Sequence, residues 1–155
     1  MLIGEFEVNS DDKGRISFPA KFKEELEGKK LVITKGISEN CLTVYTIETF
    51  NKMLDFLYSS SNYTLLNKGI SALQRVLIAP SVEFEMDKAQ RFLIPQSLRA
   101  HAQIAPKSIL IVLGLMDRLE IWEKQEYEKY ITDTCPEVEA RAQELFNRLE
   151  AKEEG

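Results

Sequence analysis

The sequence predicts a mixed α+β fold in which two related halves build one body with pseudo-two-fold symmetry and peripheral helices. Three observations predict it. Residues 11–23, Asp-Asp-Lys-Gly-Arg-Ile-Ser-Phe-Pro-Ala-Lys-Phe-Lys, recur as residues 87–99, Asp-Lys-Ala-Gln-Arg-Phe-Leu-Ile-Pro-Gln-Ser-Leu-Arg. A separation of 76 residues pairs Asp11 with Asp87, Arg15 with Arg91, Pro19 with Pro95, Phe22 with Leu98 and Lys23 with Arg99. Short segments of two-residue alternation precede each copy, and apolar runs followed by helical spacing come after each. Two copies at so long a period are too few for a solenoid, which leaves an internal duplication.

Each element has a local reason. In Glu5–Asn9, Phe6 and Val8 alternate with polar neighbours, as strands do; Val82–Met86 repeats the pattern. Asp-Asp-Lys-Gly is a turn signal, with Gly14 able to take positive φ. Arg15–Phe18 reads as a second short strand. Pro19 suits the first turn of a short helix, Ala20–Glu27, which Gly28 ends. Leu31–Lys35 and Ile109–Leu113 read as buried strands, closed by Gly36 and Gly114. Leu42–Tyr45 and Leu119–Trp122 pair with them. In Thr46–Leu57 the apolar residues Phe50, Met53, Leu54 and Leu57 share a helical face, and Trp122–Ile131 is its shorter copy.

Outside the copies, Ser59-Ser60-Ser61-Asn62 is a polar break. A connecting helix follows with Leu66, Ile70, Leu73 and Leu77 on one face, stopped at Ala79-Pro80. Thr134-Cys135-Pro136-Glu137 resembles a capping box that opens a helix with Val138, Ala142, Leu145, Phe146 and Leu149 aligned. Its tail, residues 151–155, is expected to fray. The expected organisation is therefore a first half with its trailing helix (1–58), a connecting helix (59–79), a second half (80–133), and a C-terminal helix with an acidic tail (134–155).

With 155 residues, the chain can bury a core as one domain or as two intertwined halves. No apolar run approaches the roughly 20 residues of a membrane helix, and the first residues lack the features of a signal peptide. Both point to the cytoplasm, where Cys41 and Cys135 would be reduced thiols. Taken as a sum, the net charge of −5 argues against nucleic acid, but the distribution argues for it. Residues 13–23 carry Lys13, Arg15, Lys21 and Lys23 and no acid, and residues 88–99 carry Lys88, Arg91 and Arg99 and no acid.

Nothing in the chain points to an enzyme. His101, the single histidine, has no visible partner. Asp11-Asp12 is not repeated as a pair, since Lys88 follows Asp87, so turn chemistry accounts for it better than a metal site. There is no phosphate-cradling glycine loop and no nucleophile elbow. The repeated Asp-x-x-x-Arg admits two readings. In one, Asp accepts backbone N–H bonds and pairs with Arg, an exposed pair contributing only about 0–1 kcal/mol. In the other, Arg on a hairpin tip uses its fork on phosphate oxygens or on O6 and N7 of guanine. Both roles can coexist, with Asp shaping the loop while Arg faces outward.

At these residues the chain resembles the MraZ family, whose halves are similar to the AbrB-type swapped-hairpin module. The resemblance covers almost all of residues 1–135. It rests on the segment from Asp11 to Phe22, on Gly4-Glu5-Phe6, and on Arg118-Leu119-Glu120-Ile121-Trp122. It implies duplicated AbrB-like swapped-hairpin β-barrel halves. It also implies a sequence-specific DNA-binding regulator, usually a repressor, at the promoter of the bacterial division and cell-wall gene cluster that includes its own gene. Its partners would be double-stranded DNA with repeated short boxes and further copies of itself in a ring, in the cytoplasm at the nucleoid. No cofactor, metal or membrane is implied. Carried over, Lys13, Arg15, Lys88 and Arg91 contact DNA, Lys21, Lys23 and Arg99 flank them, and Asp11, Gly14 and Asp87 structure the loops. Swapped-hairpin proteins also include antitoxins, so a protein-interaction module is the alternative. One departure stands out: Gln90 occupies the place of Gly14, and a strained or differently shaped second loop is expected there.

Overall fold

The computed structural model describes residues 1–37, 39–59 and 68–155. Two compact units are present, residues 1–124 and residues 125–155. The first contains a six-stranded sheet in the order β1-β7-β8-β4-β3-β5 and a two-stranded ladder, β2-β6, with every pairing antiparallel. The strands are β1 (Leu2–Asn9), β2 (Arg15–Ile16), β3 (Leu31–Lys35), β4 (Leu42–Thr46), β5 (Val82–Phe84), β6 (Phe92–Leu93), β7 (Ile109–Met116) and β8 (Leu119–Glu123). Helices α1 (Ala20–Leu26) and α4 (Gln96–His101) follow the two short ladder strands. Each starts after a proline, Pro19 or Pro95, whose fixed φ suits a helix entry.

The strand order is a palindrome of the sequence repeat. Exchanging β1 for β5, β3 for β7 and β4 for β8 returns the same order read backwards. The long pairings therefore cross between copies: β1 pairs with β7, and β5 with β3. At the centre β4 meets β8 about Thr43 and Glu120, and β2 meets β6. The core repeats in the same way. Ile16, Phe18, Phe22, Ile33 and Leu42 are buried together with their counterparts Phe92, Ile94, Leu98, Val112 and Leu119. Phe18 and Phe92, from opposite copies, meet with ring centroids 4.8 Å apart. On the other face of the sheet, α2 (Ile47–Ser59) covers Val32 and Tyr45 with Phe50, Met53 and Leu54, three residues of the face expected from their spacing.

The alignment of the third strands shifts by one residue. Val8 lies opposite Leu110, while its counterpart Phe84 lies opposite Leu31. Leu31 therefore corresponds to Leu110 and not to Ile109, and Gly114 corresponds to Lys35 and not to Gly36. Side chains alternate across a sheet, so a one-residue slip would send Leu31 and Ile33 to the wrong face. Leu110 and Val112 are fully buried, while Ile109 is 42 % exposed.

Two helices also differ from expectation. The connecting helix appears as α3 (Lys68–Leu73) running into a π-helical segment, Gln74–Ile78; Leu66 and the break from Ser60 to Asn62 lie outside the described residues. The capping box at Thr134 does not open a helix. α5 (Lys124–Glu154) runs without a break through Pro136. The Thr134 hydroxyl turns back to donate to Tyr130 O, and the Thr132 hydroxyl donates to Glu128 O at 3.0 Å, both inside a helix already formed. Within the 125–155 unit, Val138, Leu145, Phe146 and Leu149 are all more than half exposed.

The β1–β7 pairing tests the cross-copy topology. Gly114 stands opposite Gly4, and an added Cβ there would lie 2.7 Å from the Leu2 carbonyl carbon and 2.8 Å from the Ile3 nitrogen. Gly114→Ala should therefore destabilise the chain by about 1–3 kcal/mol, as overpacking does. Urea unfolding with Leu115→Ala as a control checks this, and an unchanged midpoint would contradict the close approach.

Candidate nucleic-acid interface

The two repeated motifs form hairpin loops at the ends of the β2–β6 ladder, joined by pairing of Arg15 with Leu93 and of Ile16 with Phe92. In the first loop the Asp11 carboxylate organises the whole turn. Its Oδ1 accepts the Lys13 amide at 2.8 Å and the Arg15 amide at 2.9 Å. Its Oδ2 accepts Arg15 Nε at 2.7 Å. The Asp11 amide donates to Arg15 O at 2.9 Å, and the Gly14 amide to Asp11 O at 3.2 Å. Arg15 is thus held by its Nε edge, while Nη1 and Nη2 point to no partner among the described residues.

The second loop repeats this frame more loosely. The Arg91 amide donates to Asp87 Oδ1 at 2.8 Å, the Asp87 amide to Arg91 O at 2.8 Å, and the Gln90 amide to Asp87 O at 2.9 Å. Arg91 Nε lies 3.5 Å from Asp87 Oδ2, beyond a good hydrogen bond. The Arg91 side chain is 41 % exposed against 29 % for Arg15. Gln90 takes φ +59, as Gly14 takes φ +84. The second loop therefore keeps the shape of the first, contrary to the expectation of a different one. The expected strain remains, since a non-glycine residue in this region costs about 1–2 kcal/mol.

Electrostatics agree with the geometry. The Arg15 amide, more than any other group, pulls the Asp11 carboxyl down to about 2 from its ordinary 3.8; the Arg15 side chain and the Lys13 amide add to it against the cost of burial. Asp87 is lowered chiefly by the Arg91 amide, and the charge of Arg15 contributes to it as well. The charge of Arg15 is thus felt in the second loop, in keeping with the β2–β6 pairing that brings the two motifs near each other.

The other basic residues separate into distinct roles. Lys13 and Lys88 are exposed on the loop tips. Lys21 reaches back to β1 and donates to Ile3 O at 2.6 Å, covering part of an edge strand. Lys23 and Gln90 line a cavity of about 130 Å3 with Phe18, Glu27, Glu85 and Met86. Arg99 lies over Gly14 and donates through Nη1 to Lys13 O at 3.4 Å. Lys107 is a basic residue that the repeat does not reveal. Its amide donates to Asp11 O at 3.1 Å, and its side chain is exposed beside the first loop. The end of the β1–β7 ladder at Asn9 and Ile109, continued by Ser10 N donating to Ser108 O at 3.0 Å, brings it there.

The remaining candidates have structural accounts. His101 Nε2 lies 3.3 Å from Glu39 O at the end of α4. Burial pushes the Cys41 thiol up to about 12, so it is an inert core thiol, and Cys135 is exposed. Among the described residues, no group of three or more His, Cys, Asp or Glu is placed to hold a metal ion, and no helix is long and apolar enough to cross a membrane.

Comparison with known proteins gives the family. The profile of the family described as "MraZ protein, putative antitoxin-like" matches residues 1–68 and 77–149. The chain belongs to the MraZ family. A transcriptional regulator MraZ from Caldanaerobacter subterraneus subsp. tengcongensis is 41 % identical over 95 % of this chain and 98 % of its own length. Those from Treponema denticola and Finegoldia magna are 41 % and 40 % identical, over 93 % and 86 % of this chain and 96 % and 89 % of their own lengths. MraZ is a family of transcriptional regulators and not of enzymes.

The depressed carboxyl of Asp11 sets a pH window. A lowered folded value means that the loop's lock is complete above 3.8 and is lost as pH falls through about 2. The Arg15 Nε–H resonance should hold its position through 3.8 and move only as the pH approaches 2. A titration midpoint at the ordinary aspartate value would show that Asp11 does not hold Arg15 in solution.

Proposed function

We propose that this chain is a DNA-binding transcriptional regulator whose two arginine loops form one face for the duplex. The observation that carries this reading is the pair of neighbouring hairpins, each with an arginine beside its own aspartate, hydrogen-bonded through Nε in the first and at 3.5 Å in the second. A buttressed guanidinium has a defined direction before the ligand arrives, so less conformational freedom is lost on binding. In this reading Arg15 and Lys13 make the principal contacts, and Arg91 and Lys88 repeat them. Lys21, Lys23 and Arg99 supply flanking positive charge. Asp11, Gly14 and Asp87 shape the loops.

The finer organisation belongs to the same proposal. The two halves, 1–58 and 80–133, are AbrB-like swapped-hairpin units joined by 59–79, and 134–155 is an appended helix and tail. One chain offers few phosphate contacts, so its own affinity is low and salt-sensitive. Several chains in a ring, each engaging one short box, raise the effective concentration of the next contact. A closed ring engaging several boxes must bend the DNA or deform itself. The target is the promoter of the division and cell-wall gene cluster, including the chain's own gene, and the outcome is repression. The place of action is the nucleoid in the cytoplasm.

A second reading takes the antitoxin-like description of the family together with the exposed Val138, Leu145, Phe146 and Leu149. In it the C-terminal helix serves a protein partner and DNA binding is secondary. Removing residues 137–155 should leave promoter binding intact under this second reading, and a loss would count against it.

The decisive variant is Arg15→Ala. Losing a charged contact costs about 1.5–3 kcal/mol, or roughly 10–100-fold in affinity per site. Avidity multiplies that loss across an assembly, so promoter binding should disappear in a gel shift at moderate salt. The assembly should keep its size by light scattering. Arg91→Ala should weaken binding less. Full promoter binding by Arg15→Ala would remove the loops from the interface.

A further inference from the structure

Each loop is tied by a side chain from the opposite copy, and the two ties are different. The first loop is tied by Arg99 of α4, whose Nη1 donates to Lys13 O at 3.4 Å. The second is tied by Ser17, whose hydroxyl donates to Gln90 O at 2.9 Å. Leu93, the counterpart of Ser17, has no hydroxyl to return the bond. Lys23, the counterpart of Arg99, has no planar fork to lay over a peptide.

The loop glycine and this arginine are matched to each other. Gly14 is buried although it sits in a hairpin loop, whereas Gln90 is exposed. An added Cβ on Gly14 would lie 2.9 Å from Arg99 Cζ and 3.0 Å from its Cδ. No side chain larger than hydrogen fits beneath the guanidinium without displacing it. In the second copy both members change together: Gln90 replaces the glycine and Lys23 replaces the arginine, beside an open cavity. Arg99 Nε is itself buried without a hydrogen-bond acceptor among the described residues, so packing over Gly14 does most of the holding.

We propose that Arg99 is a positioning residue that braces the first loop for DNA, and that the Gln90–Lys23 pair leaves the second loop adaptable, so the two loops bind DNA unequally. This rests on the DNA-binding reading above. Arg99 acts through the peptide from Lys13 to Gly14. It keeps Lys13 and Arg15 in one arrangement before the duplex arrives, and that pre-organisation lowers the conformational cost of binding. The second loop has the same backbone frame and the single Ser17 bond at Gln90 O, but no guanidinium packed over it, so its tip can follow variation in the DNA.

The test uses the full chain, with hydrogen exchange of the free protein read by mass spectrometry and binding read on a labelled duplex taken from upstream of its own gene. Arg99→Ala should speed exchange in the peptide spanning residues 11–18, leave the peptide spanning residues 87–94 unchanged, and weaken binding roughly 3- to 10-fold, as for one ordinary hydrogen bond. Arg99→Lys should restore little of either, because an ammonium cannot cover the glycine. The pair Lys23→Arg with Gln90→Gly should carry the brace to the second loop, slowing its exchange and raising the cost of Arg91→Ala towards that of Arg15→Ala. Weaker binding with unchanged exchange in the first loop would make Arg99 a direct contact and overturn the proposal. So would full rescue by lysine. If the unaltered chain ignores the duplex, the DNA reading fails, while the exchange data still decide whether Arg99 braces the loop.

Discussion

Among the described residues, strand β1 has no strand partner within its own copy, and neither does β5. β1 is completed by β7, and β5 by β3, so each half of the repeat donates its first strand to the other. An eight-residue strand with Leu2, Phe6 and Val8 packed on one side would otherwise leave a ladder of amides unpaired and those side chains in water. This exchange is the constraint from which the rest follows. It draws β2 against β6, since those strands leave the ends of the exchanged ones, and it brings the two loops onto one surface. The fully buried Phe22 and Leu98, on the helices that follow, secure the arrangement from behind.

The loops show how an acidic chain can present a cationic face. Asp11 and Asp87 lie in the most basic segments of the sequence, yet their charge is directed inward to backbone amides and to Nε of their own arginine in the first loop. The bond to Asp11 uses only Nε of Arg15 and leaves its two outer nitrogens unused by the carboxylate. The remaining acids lie largely outside these segments, many of them on the C-terminal helix. A net negative charge then opposes non-specific association while the loops keep their local positive potential.

Pseudo-symmetry is imperfect, and the imperfection is concentrated at the tips. The core pairs are apolar in both copies, with Phe exchanged for Ile or Leu in three of the five pairs named above, and the backbone frame of the loops is common to both. The residues that differ are those around the arginine: Gly14 against Gln90, Arg99 against Lys23, Ser17 against Leu93, and the Ser10–Ser108 clasp against Met86. Duplication supplies two equal frames, and substitutions around the loops change them largely outside the shared core, where volume changes are costly.

Much of the fold was legible in the sequence. Alternation and apolar runs located the strands, proline and glycine marked the ends of the short helices, and the repeat identified the arginines and their aspartates. These signals are local, because they arise from backbone conformation and from which side of an element is apolar. Legibility ended where distant segments meet. The one-residue shift that makes Leu31 the counterpart of Leu110 comes from the register against β1 and β5. Continuation of α5 through Pro136 overrode a plausible cap, because a helix already running past Thr134 leaves no free amides there to cap. Arg99 looked like another surface cation until α4 placed it over Gly14, and Lys107 had no place in the motif at all. The sequence by itself determined the strands, the two short helices after Pro19 and Pro95, the duplication and the residues of the loops. Tertiary structure alone decided which copy each strand pairs with and which loop each side chain braces, because pairing and packing depend on groups far apart in the chain and are not encoded in any local pattern.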